Sequence, residues 1–268
     1  MSKNILLIDS SYYNFYRFFA TKSWYNRSPD RVESGKDVKW VDNSIYMKTY
    51  EKMWFETLKK LCKMFCPDHI VFARDGNDVW RYNIYPEYKA NRREDPATTE
   101  SNNGPGPVFK YTNEHFHPQV ENSSVVRVSE AEADDIIAVA VNYYRSKIPD
   151  CNITIISGDH DLLQLSRSNV QIYNLKGKKF TNITCQDPYE SKLIKILAGD
   201  PSDNIKSAFP RCGKVTASKL AKDMTLLKKW VDKHGAKQYN LNCMLVDFSY
   251  IPEQVKQKVI SKLSLITI

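Results

Sequence analysis

Four short apolar runs punctuate the first 160 positions, at residues 5–8, 70–73, 125–128 and 153–156. Continuous, β-branched runs of this length suit strands buried on both faces of a parallel sheet. Between them, Ile45, Tyr46, Met53, Trp54, Leu58, Leu61 and Phe65 recur mostly at three- and four-residue spacings, as do Ile136, Val139, Ala140 and Tyr143, so these segments read as amphipathic helices. The alternation predicts an α/β fold: a mostly parallel central sheet flanked by helices, with right-handed crossovers. Two stretches break the rhythm. Residues 77–119 are polar, aromatic and basic and contain Ser101-Asn102-Asn103-Gly104-Pro105-Gly106-Pro107, which predicts a long excursion from the sheet with a mobile stretch inside it. After Asp187 only short helical patterns follow, so the chain divides into an α/β core over 1–186 and a helical region over 187–268.

The 268 residues, 42% of them hydrophobic and 12% aromatic, support a sizeable core and exclude a disordered chain. No apolar run approaches the roughly 20 residues of a membrane span. The first residues lack the apolar stretch and cleavage site of a secretory signal, so membrane and secreted classes fall away. A formal charge of +8 favours a polyanionic partner, although plain solubility accounts for it equally well. The six cysteines are scattered. Cys62 and Cys66 have no second Cys/His pair to complete a zinc site, and reduced thiols of an intracellular protein are the better reading.

Each apolar run leads into acid. Asp9 follows Ile8, and Asp75 comes soon after Phe72. Val128 runs into Ser129-Glu130-Ala131-Glu132-Ala133-Asp134-Asp135, and Ile156 leads to Ser157-Gly158-Asp159-His160-Asp161. Ligands of open parallel sheets bind outside the carboxyl ends of the strands, so four acidic strand ends converge on one edge. Converging carboxylates raise one another's pKa values unless cations hold them. Oxygen donors without a histidine cluster call for a hard divalent ion, Mg²⁺ or Mn²⁺. Two such ions about 3.5–4 Å apart activate a water and stabilise the leaving oxygen in phosphodiester cleavage. Ser129 and Glu132 have capping-box spacing, and first-turn acids complement a helix dipole. Those effects explain Ser129 and one carboxylate, but not Asp9, Asp75 or four acids in six positions. Asp37 and Asp78 read as ordinary solvated acids.

Further on, Gly199-Asp200-Pro201-Ser202-Asp203 and Arg211-Cys212-Gly213-Lys214 mark a helix end, a loop and a new helix. Exposed N–H groups after Gly213 can hold a phosphate. Lys206, Arg211, Lys214, Lys219 and Lys222 supply a basic rim. Solvated lysines on a helical hairpin are the plainer account. Asp200 and Asp203 weigh against it, because a second acidic pair would complete a metal cluster.

In combination, Ile8-Asp9, Arg74-Asp75-Gly76, the acids of 130–135, Gly-Asp-His-Asp at 158–161 and Gly-Asp-Pro-Ser-Asp-Asn-Ile at 199–205 resemble the flap endonuclease/5′-nuclease superfamily over most of the chain. Trp80-Arg81, Tyr88-Lys89-Ala90-Asn91-Arg92 and the segment 245–252 are similar to its branch of T-even phage ribonucleases H, 5′ to 3′ exonucleases that remove lagging-strand RNA primers. The resemblance implies a PIN-like core, with 77–119 as an arch or bridge beside which a 5′ single strand passes. It implies a helix–three-turn–helix at about 196–222 that grips the duplex backbone. It also implies a first metal cluster of Asp9, Asp75, Glu132, Asp134 and Asp135, with Glu130 an addition found in some branches. A second cluster comprises Asp159, Asp161, Asp200 and Asp203, and the two would hold two Mg²⁺ ions, replaceable by Mn²⁺. Lys89 matches the lysine near the scissile phosphate, Tyr88 the aromatic beside it, and Arg92 a phosphate clamp. Arg81 and Arg93 join Lys206, Arg211, Gly213, Lys214, Thr216 and Lys219 as expected DNA contacts. The family's Ile-Pro-Gly and Gly-Ile-Gly runs become Ile205-Lys206-Ser207 and Arg211-Cys212-Gly213 here. That departure touches a monovalent-cation site in the turn, while Gly213, Lys214 and Thr216 keep the phosphate grip.

These readings predict a divalent-metal-dependent, structure-specific 5′ nuclease of DNA and RNA/DNA duplexes in replication. It would be a cytoplasmic monomer acting on branched, nicked or RNA-primed duplexes with a 5′ end, and the partner offered by the resemblance is a replisome single-strand-binding protein. A non-catalytic branched-DNA-binding protein of the same fold and a stand-alone PIN-type ribonuclease are the alternatives. The filled acidic motifs argue against the first, and the duplex-gripping region argues against the second.

Overall fold

A computed structural model describes residues 2–29, 39–93, 104–180 and 187–268, with the Arg93 side chain outside that set. Five parallel strands, β1 (Asn4–Asp9), β2 (His69–Arg74), β3 (Ser123–Arg127), β4 (Asn152–Ile156) and β5 (Val170–Tyr173), lie in the order β3-β2-β1-β4-β5. The chain builds outward from β1 to β3 and then returns to the other side of β1 as β4. The sheet therefore has its topological switch between β1 and β4, where the carboxyl ends of the strands open a crevice.

Alternation along β1 assigns the layers. Leu6 and Ile8 pack with Tyr13 and Phe18 of α1 (Ser10–Tyr25) and with Tyr50, Trp54 and Leu58 of α2 (Ser44–Phe65). The chain passes through two short helices, α3 (Trp80–Ile84) and α4 (Ala90–Arg93), before α5 (Gly106–His115) joins this same layer. Ile5 and Leu7 face the opposite layer, which α6 (Ala133–Lys147) fills. Four further helices follow: α7 (Pro188–Ala198), α8 (Lys214–Lys222), α9 (Met224–His234) and α10 (Lys237–Val246). α7, α8 and α9 pack around Leu197, Phe209, Leu220 and Leu227, while Cys243, Leu245 and Val246 of α10 cluster with Tyr88 and Ile205. The last helix, α11 (Glu253–Leu263), returns to the sheet, where Val255, Val259 and Leu263 pack with Val139 and Ile153.

The structure departs from the sequence reading in three places. β5 has no continuous apolar run, because its side chains alternate between buried and half-buried. The second half of the expected excursion belongs to the core: Val108, Thr112 and Phe116 recur at helical spacing, all buried, and the Thr112 hydroxyl lies 3.2 Å from that of Tyr50. Residues 101–103 of the expected mobile stretch lie outside the described residues, as does Asp37. The expected division at 187 is crossed by α11, whose apolar stripe completes the sheet's own layer.

One glycine positions the site directly. A Cβ on Gly76 would fall 2.0 Å from the Ser129 carbonyl oxygen, so only glycine lets the loop after β2 lie against the loop after β3. That contact carries Asp75 to the start of α6.

Candidate active site

Four carboxylates gather at the carboxyl edge of the sheet. Asp9 ends β1 and caps α1, its Oδ1 accepting from the Tyr12 amide at 2.9 Å and its Oδ2 from the Ser157 hydroxyl at 2.9 Å. Asp75, just past β2, accepts from the Ala133 amide at 2.8 Å and from the Ser11 hydroxyl. Asp159, just past β4, caps the 3₁₀ turn His160–Leu165 and accepts from the Asp161 amide at 2.8 Å. Asp134 stands in the first turn of α6, and its buried Oδ1 has no hydrogen-bond partner. Burial, then the neighbouring Asp75, pushes the Asp9 carboxyl up to about 7. Burial, then Asp159 and Asp9, pushes Asp134 well above the usual carboxylate range. These groups share one field. Among the described residues, no lysine or arginine forms an ion pair with any of the four.

A second acidic group adjoins the first through Asp159. It contains Asp161, Asp200 and Asp203, and unlike the first it is filled by the chain's own cations. Lys195 of α7 places its Nζ 2.6 Å from Asp161 Oδ2 and 2.7 Å from Asp200 Oδ2. Arg92 reaches Asp203 Oδ1 at 2.5 Å. Asp200 also accepts from the Ser202 amide and hydroxyl. Burial works against its charge, but Lys195 and Ser202 prevail and hold it at about 2. Asp161 goes the other way: burial and Asp159 outweigh Lys195 and push it up to about 6. A Cβ on Gly199, at φ +76°, would sit 2.4 Å from the Ile205 carbonyl, so glycine is required to close the turn carrying Asp200 and Asp203.

Beneath both groups lies a buried ionic layer. Arg81, only 2% exposed, donates to both Asp135 oxygens at 2.8 Å, to Glu132 Oε2 at 2.9 Å and to the Leu245 carbonyl at 2.9 Å. The Trp80 indole donates to Asp135 as well, at 3.0 Å. Glu132 also accepts from Lys89 at 2.6 Å and from the Tyr88 hydroxyl at 3.1 Å.

This layer corrects several expectations. Arg81 cannot reach DNA, because burial and three acceptors consume its guanidinium. Asp135 is fully buried and both its oxygens accept from Arg81, so as arranged it offers none to an ion. Tyr88, the aromatic beside Lys89, is buried and donates to Glu132. Glu130 turns away to pair with Lys258 of α11. The capping box at α6 is formed by Glu132 and Asp135, whose Oδ2 accepts from the Glu132 amide at 3.1 Å. Ser129 instead donates to Asp78 at 2.8 Å.

The expected duplex-binding turn forms a separate surface. Gly213 caps α8 without a side-chain bond, and it lines, with Lys206 and Arg211 among others, a groove of about 480 Å³. Lys214 and Lys219 are exposed, and Thr216 is half-buried. Arg211 holds a left-handed φ of +57° where the family pattern has glycine. Lys206 points outward, 3.8 Å from Glu87.

Hard divalent ions want oxygen donors, and every candidate here is a carboxylate. Among the described residues, no three His, Cys, Asp or Glu side chains close on a common point fit for an ion. At the first group the carboxylates are turned instead onto Ser11, Ser157 and the amide of Ala133. The unpartnered Asp134 oxygen and the mutual repulsion of its neighbours fit a divalent cation there. Sequence reasoning missed Lys195, Ser11 and Ser157. Only Lys195 carried a local signal, as a cation in the last turns of a helix that runs into Gly-Asp.

Sheet edge and acidic groups together define a nuclease-type α/β domain, and a family model for the 5′-3′ exonuclease N-terminal resolvase-like domain matches residues 4–192; the chain belongs to that family. Ribonuclease H of Enterobacteria phage T4 is 29% identical over 153 residues, which are 51% of this chain and 50% of that protein. DNA polymerase I of Caldicellulosiruptor bescii is 30% identical over 179 residues, 61% of this chain and 19% of the polymerase. The chain thus matches about half of the phage relative's length and under a fifth of the polymerase. The 5′-3′ exonuclease of Bacillus subtilis is 27% identical over 244 residues, 86% of this chain and 74% of its own. Among solved structures, T5 5′-exonuclease with bound zinc superposes with a TM-score of 0.71 at 18% identity, over 98% of this chain and 99% of that one. The two share a fold. No helix among the described residues is long and apolar enough to cross a membrane.

Proposed function

We propose that this protein is a divalent-metal-dependent 5′ nuclease that hydrolyses phosphodiesters at the 5′ ends of branched, nicked or RNA-primed duplexes. The observation that carries the proposal is the first acidic group: Asp9, Asp75, Asp134 and Asp159 come together from three strand ends and a helix start, none of them ion-paired among the described residues and with one buried oxygen unpartnered. These residues would hold Mg²⁺, replaceable by Mn²⁺. The bound ion supplies an activated water and draws off phosphate charge. Two ions, one per acidic group, is the arrangement the resemblance implies.

The chain's own residues do the rest. Lys89 stands on Glu132 at the rim of the carboxylates, where its ammonium can meet charge developing on a phosphate. Arg81 and Tyr88 fix Glu132, and so fix Lys89. Arg92, half-exposed beside Asp203, would clamp a neighbouring phosphate. The α8 amides, Lys214 and Lys219 would hold the duplex backbone without reading bases, so RNA and DNA strands are both accommodated. The names of the T4 and B. subtilis relatives support this reading, as does a T5 flap endonuclease structure titled as a complex with DNA and metal ions.

The test uses 5′-labelled flap, nicked and RNA-primed duplexes. Cleavage is expected in Mg²⁺ or Mn²⁺ and not in chelator, with product lengths distinguishing stepwise trimming from flap removal. Asp134→Asn should lower turnover by orders of magnitude while binding persists. Tight binding of flaps with no cleavage in either metal would overturn the reading in favour of a non-catalytic junction-binding protein.

A further inference from the structure

The two acidic groups differ in one respect that bears on how many ions the protein holds. Among the described residues, no lysine or arginine is ion-paired in the first. In the second, Lys195 bridges Asp161 and Asp200, and Arg92 takes Asp203. We infer that Lys195 is a built-in competitor for the second divalent ion: in the free protein its ammonium occupies the second acidic group, so one ion binds firmly at the first group and another enters only by displacing Lys195. The inference rests on the reading of the sheet edge as a metal centre.

The geometry is specific. Asp161 comes from the turn after β4 and Asp200 from the turn after α7, and Lys195 reaches both at 2.6 and 2.7 Å while only 21% exposed. A hard ion would need those same oxygens at about 2.0–2.1 Å for Mg²⁺. The ammonium and the ion cannot share them. A cleft of about 190 Å³ beside the pair, lined by His160, Gln164 and Ser191 among others, gives the displaced lysine stem somewhere to go. Displacement breaks two charge-assisted hydrogen bonds. Losing the net worth of even one weakens the second ion on the order of 10- to 100-fold relative to an uncontested site. The alternative role for Lys195 is a clamp tying α7 to the sheet, and ion affinity separates the two roles because a clamp has no reason to oppose a cation.

Mn²⁺ binding isotherms, read from the electron paramagnetic resonance signal of free ion, test this on the full chain. The native protein should show one firm and one weak ion. Lys195→Met should leave the first ion as it is and tighten the second 10- to 100-fold, whereas Lys195→Arg should restore the native isotherm. Asp134→Asn should lose the firm ion. If the Met variant loses its helical circular dichroism, amine acylation of the native chain followed by mass spectrometry replaces it. Lys195 should then react slowly without Mn²⁺ and faster at millimolar Mn²⁺. Two equally firm ions in the native protein, no tightening in a folded Met variant, or a Lys195 acylation rate indifferent to Mn²⁺ would each overturn the inference. Absence of any bound Mn²⁺ in the native protein would overturn the metal-centre reading beneath it.

Discussion

Replacing Arg81 with methionine separates a structural cation from a nucleic-acid contact. In the basic, aromatic stretch 80–93 this arginine has the sequence surroundings of a phosphate ligand, yet four hydrogen bonds hold it inside the protein. Methionine fills a similar volume but leaves Asp135 buried with a full charge. Glu132 loses one of its two cationic partners and keeps Lys89. Breaking a buried pair by removing one partner costs about 3–5 kcal/mol, most of it the stranded charge. For a chain of this size each kcal/mol corresponds to about 2–4 °C in the unfolding midpoint, so a fall of roughly 6–20 °C is expected.

Urea and thermal unfolding of Arg81→Met, Asp135→Asn and the double variant measure it. Asparagine is neutral and still accepts from Trp80, so the double variant should recover on the order of 2 kcal/mol of the loss predicted from adding the single ones. Flap-DNA affinity and its salt slope should change little in any variant that remains folded. A normal unfolding midpoint combined with a flatter salt slope would refute the argument and return Arg81 to the DNA interface.

Further outcomes follow from the same charges. In chelator, Asp9 titrates at about 7 folded against 3.8 unfolded, so the folded state holds the extra proton between those values. Stability should therefore fall as pH rises through that window, Asp9 contributing on the order of 4 kcal/mol, and Asp9→Asn should make the slope shallower while Asp134 and Asp161 keep their own shares. His117 has the opposite sign. It is stacked 4.4 Å from Phe72 with neither ring nitrogen partnered, and burial lowers it to about 4 from 6.5. It should cost about 3 kcal/mol as pH falls through that range, a loss His117→Phe should abolish in the difference between the two unfolding curves. At the duplex grip, Lys214→Ala and Lys219→Ala should each reduce the salt slope of duplex binding by roughly 0.9, and equal losses on single strands would place the duplex contact elsewhere.

Much of the scaffold was legible because its signals are local. Buried parallel strands write themselves as apolar runs, and acids at their carboxyl ends point to one edge whatever the loops do. β5 escaped because an edge strand buries only alternate residues, and α11 because an amphipathic stripe does not say which layer it covers. The acidic motifs were visible as a set. Their division of labour was not.

Asp134 and Asp135 show why. Adjacent helix positions point about 100° apart, so one acid keeps a buried oxygen unpartnered among its neighbouring carboxylates while the other turns into the core as anchor for a buried arginine. Which is which depends on Arg81, more than fifty residues upstream and brought near only by the fold. Lys195 poses the same problem, because Asp161 lies on a different element and no spacing rule connects them. The cations that neutralise the acids set how many carboxylates remain for metal. The motif therefore reports where charge accumulates, and the count of free carboxylates emerges only when long-range partners are placed. Among the described residues that count leaves Asp9, Asp75, Asp134 and Asp159 without an internal cation, neighbouring acids at the carboxyl edge of the sheet, where a phosphodiester would have to be brought.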